Sequence, residues 1–192
     1  MYKTLGLAFG GLVLIGIVFL VMLGFSYNGF INTATNFEVA IKAQYTNNQN
    51  VYDNGYKKVK EMAQVPQLQE QALEKLFVAS ISARQYDKGG QLMKFIQEQN
   101  PTLDQSTFVK IQQAVESYRN AFQNTQTELI AKKQSYETFL TATTSGRFNN
   151  TIAGMLGSSF PRIDLNKFDI VTSDKTQKAF ETKRDEPLDL LK

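Results

Sequence analysis

Hydrophobic residues follow two patterns along the chain: a continuous apolar run at residues 5–25, then a longer region with an apolar residue at every third or fourth position. The run contains no charged residue and no Asn, Gln or Pro. As an α-helix rising ~1.5 Å per residue it would be about 31 Å long, which matches a hydrocarbon core of about 30 Å. Because a chain in lipid must satisfy its own backbone hydrogen bonds, the run predicts one transmembrane helix.

A cleaved secretory signal is the alternative interpretation of the same run. Signal sequences have a shorter apolar region, of about 7–15 residues, and end in a small-x-small cleavage site. Only Gly24 and Ser26 approximate such a site here. We therefore favour a retained anchor.

The charges that flank the run predict its orientation. Lys3 precedes it, and Lys42 is the first basic residue after it. By the positive-inside rule the N-terminus stays in the cytoplasm and residues 26–192 are exported. Gly6 and Gly10 form a small-xxx-small pair that would allow two such helices to pack closely, although glycine is frequent in membrane spans without specific pairing.

Residues 28–62 predict a long amphipathic helix. Its stripe consists of Phe30, Ala34, Phe37, Ile41, Tyr45, Tyr52, Val59 and Met62. Asn48 and Gly55 interrupt this stripe, and because glycine in a helix costs about 1 kcal/mol relative to alanine, Gly55 indicates a close helix crossing or a bend. No break separates the stripe from Phe25, so the membrane helix and this helix can be one.

A second helical face is predicted over residues 67–99, after Pro66 ends the first helix or opens the next. Its apolar positions are Leu68, Ala72, Leu76, Ala79, Ala83, Tyr86, Met93 and Ile96. Gly89 and Gly90 weaken the pattern near its end. Asn100-Pro101 then predicts a turn, because the residue before a proline avoids the helical region.

A third helix is predicted over residues 106–143, with Asp104 or Ser106 as its N-cap. Its heptad seam consists of Phe108, Ile111, Val115, Tyr118, Phe122, Thr125, Leu129, Lys132, Tyr136 and Phe139. Since a narrow apolar stripe does not stabilise an isolated helix, these positions must be buried against another helix or another chain.

The pattern changes beyond Thr144. Ser145-Gly146 is expected to stop the third helix, and a short apolar segment follows at residues 148–157. Its apolar cluster comprises Phe148, Ile152, Met155, Leu156 and Phe160. This cluster either caps the end of a bundle or forms an exposed contact patch.

These patterns predict an all-α fold: one N-terminal transmembrane helix followed by an elongated antiparallel bundle with long helices. The expected organisation is a cytoplasmic stub and anchor at residues 1–26, a helical bundle at 27–165 and a charged tail at 166–192. The tail is weakly periodic, as flexible termini often are.

Composition removes several classes of function. The chain contains no histidine and no cysteine, so it lacks the usual catalytic base, thiol nucleophile and zinc ligands. Its 21 basic and 18 acidic residues are interspersed and give a net charge of +3, which argues against a nucleic-acid-binding stripe. We expect no cofactor and no metal.

Few residues remain as candidates for chemistry. Glu70 and Glu74 lie on one helical face, as a catalytic pair would, but a solvated face is the more common meaning of that spacing. The aromatic residues of the two long stripes are expected in the core rather than around a ligand. Asp164 and Asn166 alternate like calcium ligands, but the later loop positions that calcium binding needs are occupied by Asp169 and Lys175.

Several short motifs resemble those of the LemA family. They are Tyr27-Asn28 after the span, Asn54, the turn Pro101-Thr102-Leu103, Tyr136 in the heptad helix, and Ala153-Gly154-Met155-Leu156-Gly157, with Phe160 closing the segment. The Ala-Gly-x-x-Gly motif is the most specific of these. The family's Pro-Asn-Leu is reduced here to Asn54, Lys133 stands near its arginine position, and the heptad helix is about one heptad longer, which keeps the stripe in phase.

The resemblance implies a bacterial inner-membrane protein, anchored by one span, with an extracytoplasmic helical bundle of unsettled function. We expect a non-enzymatic structural or interaction protein of the cell envelope, whose partners are the lipid bilayer and either further copies of itself or another envelope protein. The alternative is a ligand-sensing periplasmic bundle that signals through a partner. An envelope hydrolase using Glu70 and Glu74 is the third hypothesis.

Overall fold

The computed structural model of the chain describes residues 2–82 and 90–171, with side chains from residue 10 onward. Five α-helices lie in this part: α1 (Tyr2–Ala63), α2 (Glu70–Ser82), α3 (Gly90–Gln99), α4 (Gln105–Thr141) and α5 (Thr144–Met155). Two 3-10 turns, Gln67–Gln69 and Leu165–Lys167, complete it. No strand occurs among these residues, so the all-α prediction is confirmed. Predictions for Ala83, Tyr86, Gly89, the packing around Gly6 and residues 172–192 lie outside what the structure describes.

Helix α1 is continuous from the apolar run into the amphipathic stripe. It ends at Ala63, after which Gln64 has a φ of 49° and Pro66 precedes the 3-10 turn. On the stripe, Phe30, Ala34, Ile41 and Val59 are buried. The apolar side chains described between Leu12 and Phe25 are instead mostly exposed, and this N-terminal part of α1 is long and apolar enough to cross a membrane.

Helix α4 matches the predicted third helix to within two residues at each end. Asp104 caps it, accepting hydrogen bonds from Thr107 N at 2.9 Å and from the Ser106 hydroxyl at 2.6 Å. These hydrogen bonds hold the pKa of the Asp104 carboxyl well below its usual range. Five seam positions are fully buried: Ile111, Val115, Phe122, Leu129 and Tyr136. The other five are half-buried.

The predicted apolar face of the second segment is wrong in its first half. Leu68 lies on the 3-10 turn and is 96% exposed, whereas Leu73, Phe77 and Ile81 are the buried residues of α2. The helix begins only at Glu70, and its buried face is offset by one position from the one that contains Leu68, Ala72 and Leu76. On α3, the predicted positions Met93 and Ile96 are buried.

The corner between α4 and α5 differs from the expected helix stop at Ser145-Gly146. Helix α4 ends at Thr141, and Gly146 lies in the first turn of α5, where its N–H donates to the capping hydroxyl of Thr143 at 2.9 Å. A Cβ at position 146 would overlap the carbonyl oxygen of Phe139. The glycine therefore permits a tight corner in which a new helix begins.

The chain divides into two compact units. Among the described residues, the first unit comprises 2–42 and 131–168, and the second comprises 43–82, 90–130 and 169–171. In the first unit, Phe30 stacks on Phe139 with ring centroids 5.5 Å apart, and Phe37 stacks on Tyr136 at the same separation. The Phe160 ring meets Phe30 edge-on at 5.4 Å.

The second unit contains the larger aliphatic core. Its buried members are Val59, Ala63, Val65, Leu73, Phe77, Ile81, Leu92, Met93, Ile96, Ile111, Val115 and Phe122. The predicted close crossing at Gly55 is confirmed, because a Cβ there would lie 2.8 Å from Cγ of Tyr118 and 2.9 Å from Cζ of Phe77. Gln44, another α1 residue of this unit, donates from Nε2 to the carbonyl oxygen of Thr125 on α4 at 3.1 Å.

Candidate functional site

A buried carboxylate, Glu38, is the centre of a polar cluster in the first unit. The side chain of this α1 residue is 7% exposed. Its Oε1 accepts hydrogen bonds from Tyr136 Oη of α4 at 2.8 Å and from the backbone N–H of Arg162 at 2.6 Å. Its Oε2 lies 3.6 Å from Arg162 Nε. Three distant parts of the sequence therefore meet at one carboxyl group.

The segment that follows α5 reaches this cluster through Arg162. Arg162 Nη2 donates to Thr35 Oγ1 at 2.6 Å, and the guanidinium lies 4.3 Å from the centre of the Phe160 ring. The Asn150 amide binds both backbone groups of Phe160: its Oδ1 accepts from the N–H at 2.8 Å, and its Nδ2 donates to the carbonyl at 3.1 Å. These contacts fix residues 160–162 against α1.

The electrostatics of the cluster keep Tyr136 in its neutral form. Burial, the hydrogen bond to Glu38 and the charge of that carboxylate raise the pKa of Tyr136 well above its usual value, and Arg162 opposes this only in part. Tyr136 is thus a donor at neutral pH and does not serve as a base. Because Glu38 already binds two donors and one cation, the cluster suits a structural connection better than proton transfer to a substrate.

Helix α5 ends in a specific backbone motif and is joined to α1 through Asn149. Its C-terminus forms a Schellman motif, in which Gly157 N donates to Gly154 O at 3.1 Å and Ser158 N donates to Ala153 O at 2.7 Å. Gly157 has the positive φ of 76° that this motif requires. Asn149 Nδ2 donates to Ser26 Oγ of α1 at 3.1 Å and to the carbonyl oxygen of Ser145 at 2.9 Å.

The residues singled out by the LemA resemblance do not form one site. Tyr136, Ala153 and Phe160 are buried in the first unit, whereas Met155 and Leu156 of the same motif are exposed. Tyr27 is half-buried, and the remaining polar or turn positions Asn28, Asn54 and Pro101 are exposed. Gly154 is exposed and has room for a side chain, since a Cβ would meet only Ser159 Cβ, at 3.8 Å. Gly10 is exposed, with open space around it.

Of the predicted apolar cluster at residues 148–160, one part is buried and another part is exposed. Phe160 contacts Phe30 and is 6% exposed, while Phe148 and Met155 are 51% and 82% exposed. Phe160 is thus packed against α1, and a contact patch at the exposed residues Phe148 and Met155 stays a prediction.

Glu70 and Glu74 are each engaged in a separate contact. Glu70 forms an ion pair of 2.7 Å with Lys60, and Glu74 Oε1 accepts a hydrogen bond of 3.0 Å from Tyr52 Oη. Burial and the neighbouring Glu74 raise the pKa of Tyr52 to about 12. The stripe aromatics pack on one another, for example Tyr52 with Phe122 at 6.4 Å between centroids, as expected of core residues.

Metal-binding geometry is absent from the described residues, among which no three acidic side chains converge. Asp164 caps a 3-10 turn by accepting from Asn166 N at 3.1 Å. A shallow depression of about 410 Å³ on α4 is lined by Ala131, Gln134, Ser135, Thr138, Phe139 and Thr143. None of these lining residues has an ionisable side chain.

Comparison of the chain with protein-family models, with curated proteins and with solved structures gave no match. The interpretation of the site therefore depends on the residues themselves.

The Glu38 cluster is not among the sites predicted from the sequence. One signal was available: Glu38 lies four residues after Ala34 and three before Ile41, so a carboxylate occupies an apolar stripe position. Its partner Arg162 is 124 positions away, in a segment without helical periodicity. No local pattern indicates that contact.

Proposed function

We propose that the chain is a non-enzymatic, single-span membrane protein whose helical arm serves as a structural or interaction element of the bacterial cell envelope. Its N-terminus faces the cytoplasm, and the arm is held on the other side of the inner membrane. The LemA resemblance implies the same single-span architecture, with a helical bundle of unsettled function.

The main support for this proposal is that α1 is one continuous helix. One helix contains both an apolar segment with exposed side chains, such as Leu14, Leu20 and Phe25, and a second segment whose stripe is buried in helical units. Exposing one large apolar side chain to water costs about 1.5–3 kcal/mol relative to burial. A run of such side chains is stable in lipid, and the continuous helix would connect that membrane segment directly to the arm.

The contacts of each unit support an antiparallel arrangement of α1 and α4. In the first unit, Phe30 pairs with Phe139 and Phe37 pairs with Tyr136. Residue numbers therefore increase along α1 in the direction in which they decrease along α4. In the second unit the same holds for Gln44 beside Thr125 and Gly55 beside Tyr118. This is the pairing of an antiparallel helical bundle.

Polar contacts within the chain favour an interaction role over catalysis. Glu38, Glu70 and Glu74 all have partners inside the protein. Five positions of the heptad seam of α4 are buried and the other five are half-buried, which favours other surfaces for a partner. The remaining candidates are the span, where Gly6 and Gly10 would permit close packing of two copies, and exposed apolar residues outside the seam.

Photocrosslinking in living cells tests this role. A photoreactive amino acid is placed at an exposed position in each unit, Val39 in the first and Leu68 in the second, and at the buried position Ile111 as the matched control. We expect discrete adducts from the exposed positions and none from Ile111. Adducts of doubled mass indicate self-association, and adducts of other masses indicate an envelope partner. The absence of discrete adducts at exposed positions would contradict the interaction role.

A further inference from the structure

Helix α5 presents a row of large apolar side chains to the outside of the first unit. Phe148, Ile152 and Met155 follow one another at i, i+4 and i+7, which places them on one helical face. Phe148 and Met155 are 51% and 82% exposed, and Leu156 beyond the helix end is 66% exposed. The face that packs inward is a different one, made of the buried residues Gly146, Asn149 and Ala153.

The position of α5 alongside α1 indicates what environment surrounds this apolar row. Asn149 contacts Ser26, which is the residue immediately after the apolar run. Phe160 contacts Phe30, and Arg162 contacts Thr35 and Glu38. Successive positions after α5 thus meet α1 progressively farther from the run. Helix α5 therefore lies beside the end of the apolar run.

We infer that α5 is an interfacial helix whose apolar row, Phe148, Ile152 and Met155, enters the boundary between lipid headgroups and acyl chains, together with Leu156 just beyond the helix end. Amphipathic helices of this kind insert their apolar face about 5–10 Å into that boundary. The exposed Arg147 of α5 lies off the row, where it can meet lipid phosphates at the headgroup level. This inference depends on the membrane anchoring in the proposed function.

A single tryptophan reports the depth of each position, because the chain contains no tryptophan of its own. The F148W and M155W variants of the full chain are reconstituted into phosphatidylcholine and phosphatidylglycerol vesicles that carry brominated lipids. F19W, in the apolar run, is the control for insertion of the span. V39W is the matched control on the same unit, since Val39 is exposed and lies 13 residues beyond Ser26 on α1.

For F148W and M155W we expect blue-shifted emission, strong quenching by lipids brominated near the headgroup, and protection from aqueous iodide. F19W should be quenched by lipids brominated far down the acyl chain, and V39W should be quenched by iodide alone. If F19W is quenched by lipid while both α5 variants respond like V39W, the interfacial role of α5 is wrong and the anchor stands. Blue-shifted α5 emission without lipid quenching indicates a protein cover, such as a second copy, and also overturns the inference. If F19W is not quenched by lipid, the membrane anchor itself is contradicted.

Discussion

Tyr136 Oη donates a hydrogen bond of 2.8 Å to Glu38 Oε1, joining two buried side chains that are 98 positions apart in the sequence. The second unit contains the same chemical pair in a different setting: Tyr52 Oη donates to the exposed Glu74 at 3.0 Å. Because water competes for an exposed hydrogen bond and not for a buried one, the two pairs should differ in strength although their geometry is similar.

Double-mutant cycles measure that difference. For Y136F and E38L we expect a coupling energy of about 1–3 kcal/mol in urea unfolding of the full chain in detergent, since each substitution removes the hydrogen bond and leaves its buried partner unsatisfied. For Y52F and E74L the coupling should stay below about 1 kcal/mol. Equal coupling energies in the two cycles would contradict the structural role of the Glu38 cluster.

Alkaline pH should destabilise the protein through Tyr136. Its folded-state pKa is raised above the ordinary value of 10.0, so above about pH 10 the unfolded state releases a proton that the folded state retains. The contribution of Tyr136 to the free energy of unfolding is fully present below that pH. It falls as pH rises toward the folded-state pKa, by up to about 1.4 kcal/mol per pH unit. Urea unfolding at a series of pH values measures the slope.

The Y136F variant is the control for this pH dependence. Its stability should fall less steeply above pH 10 than that of the parent chain, with a remaining slope from Tyr52, whose pKa is about 12, and from Lys60, whose pKa is also raised. Identical slopes in the variant and the parent would show that Tyr136 is not the titrating group.

Two glycines of α1 should respond in opposite directions to alanine. G55A places a Cβ 2.8 Å from Tyr118 and 2.9 Å from Phe77, and we expect a net loss of at least about 1 kcal/mol, because overpacking at this crossing outweighs a gain of up to about 1 kcal/mol in helix propensity. G29A meets no atom within 4 Å and should stabilise the helix by up to about 1 kcal/mol. Thermal unfolding of both variants checks this; a harmless G55A would contradict the close crossing.

The corner between α4 and α5 should depend on Gly146. In G146A the added methyl group would overlap the carbonyl oxygen of Phe139, so the corner must open, at a cost above about 2 kcal/mol. G154A on the same helix is the matched control and should be neutral or slightly stabilising. Hydrogen exchange of α5 amides reports the corner locally. Similar protection in the two variants would argue against this account.

The long helices could be predicted from the sequence because their apolar period is sustained. The expected stripe over 28–62 and the expected helix over 106–143 agree with α1 ending at Ala63 and α4 spanning Gln105–Thr141. The signals there are local: a repeated spacing, a proline, and a capping aspartate. Of the two expectations at Gly55, a close crossing or a bend, the contacts with Tyr118 and Phe77 confirm the crossing.

Short elements and long-range contacts could not be predicted in the same way. Around Leu68, two apolar stripes offset by one position were available, and burial selected the one with Leu73 and Phe77. Helix α5 was missed because Gly146 resembles a helix stop when only the sequence is considered. The Glu38 and Arg162 contact joins segments 124 positions apart, and tertiary packing alone brings them together.

The most direct test of the account is the topology of the arm relative to the membrane. The chain has no cysteine, so L68C, at a position that is 96% exposed, and T4C, before the apolar run, can each be labelled singly with a membrane-impermeant maleimide in bacterial spheroplasts. We predict that L68C is labelled in intact spheroplasts, that T4C is labelled only after lysis, and that both chains stay in the membrane fraction after alkaline extraction. Labelling of L68C only after lysis, or recovery of the chain in the soluble fraction, would contradict an exported arm held by a single membrane helix.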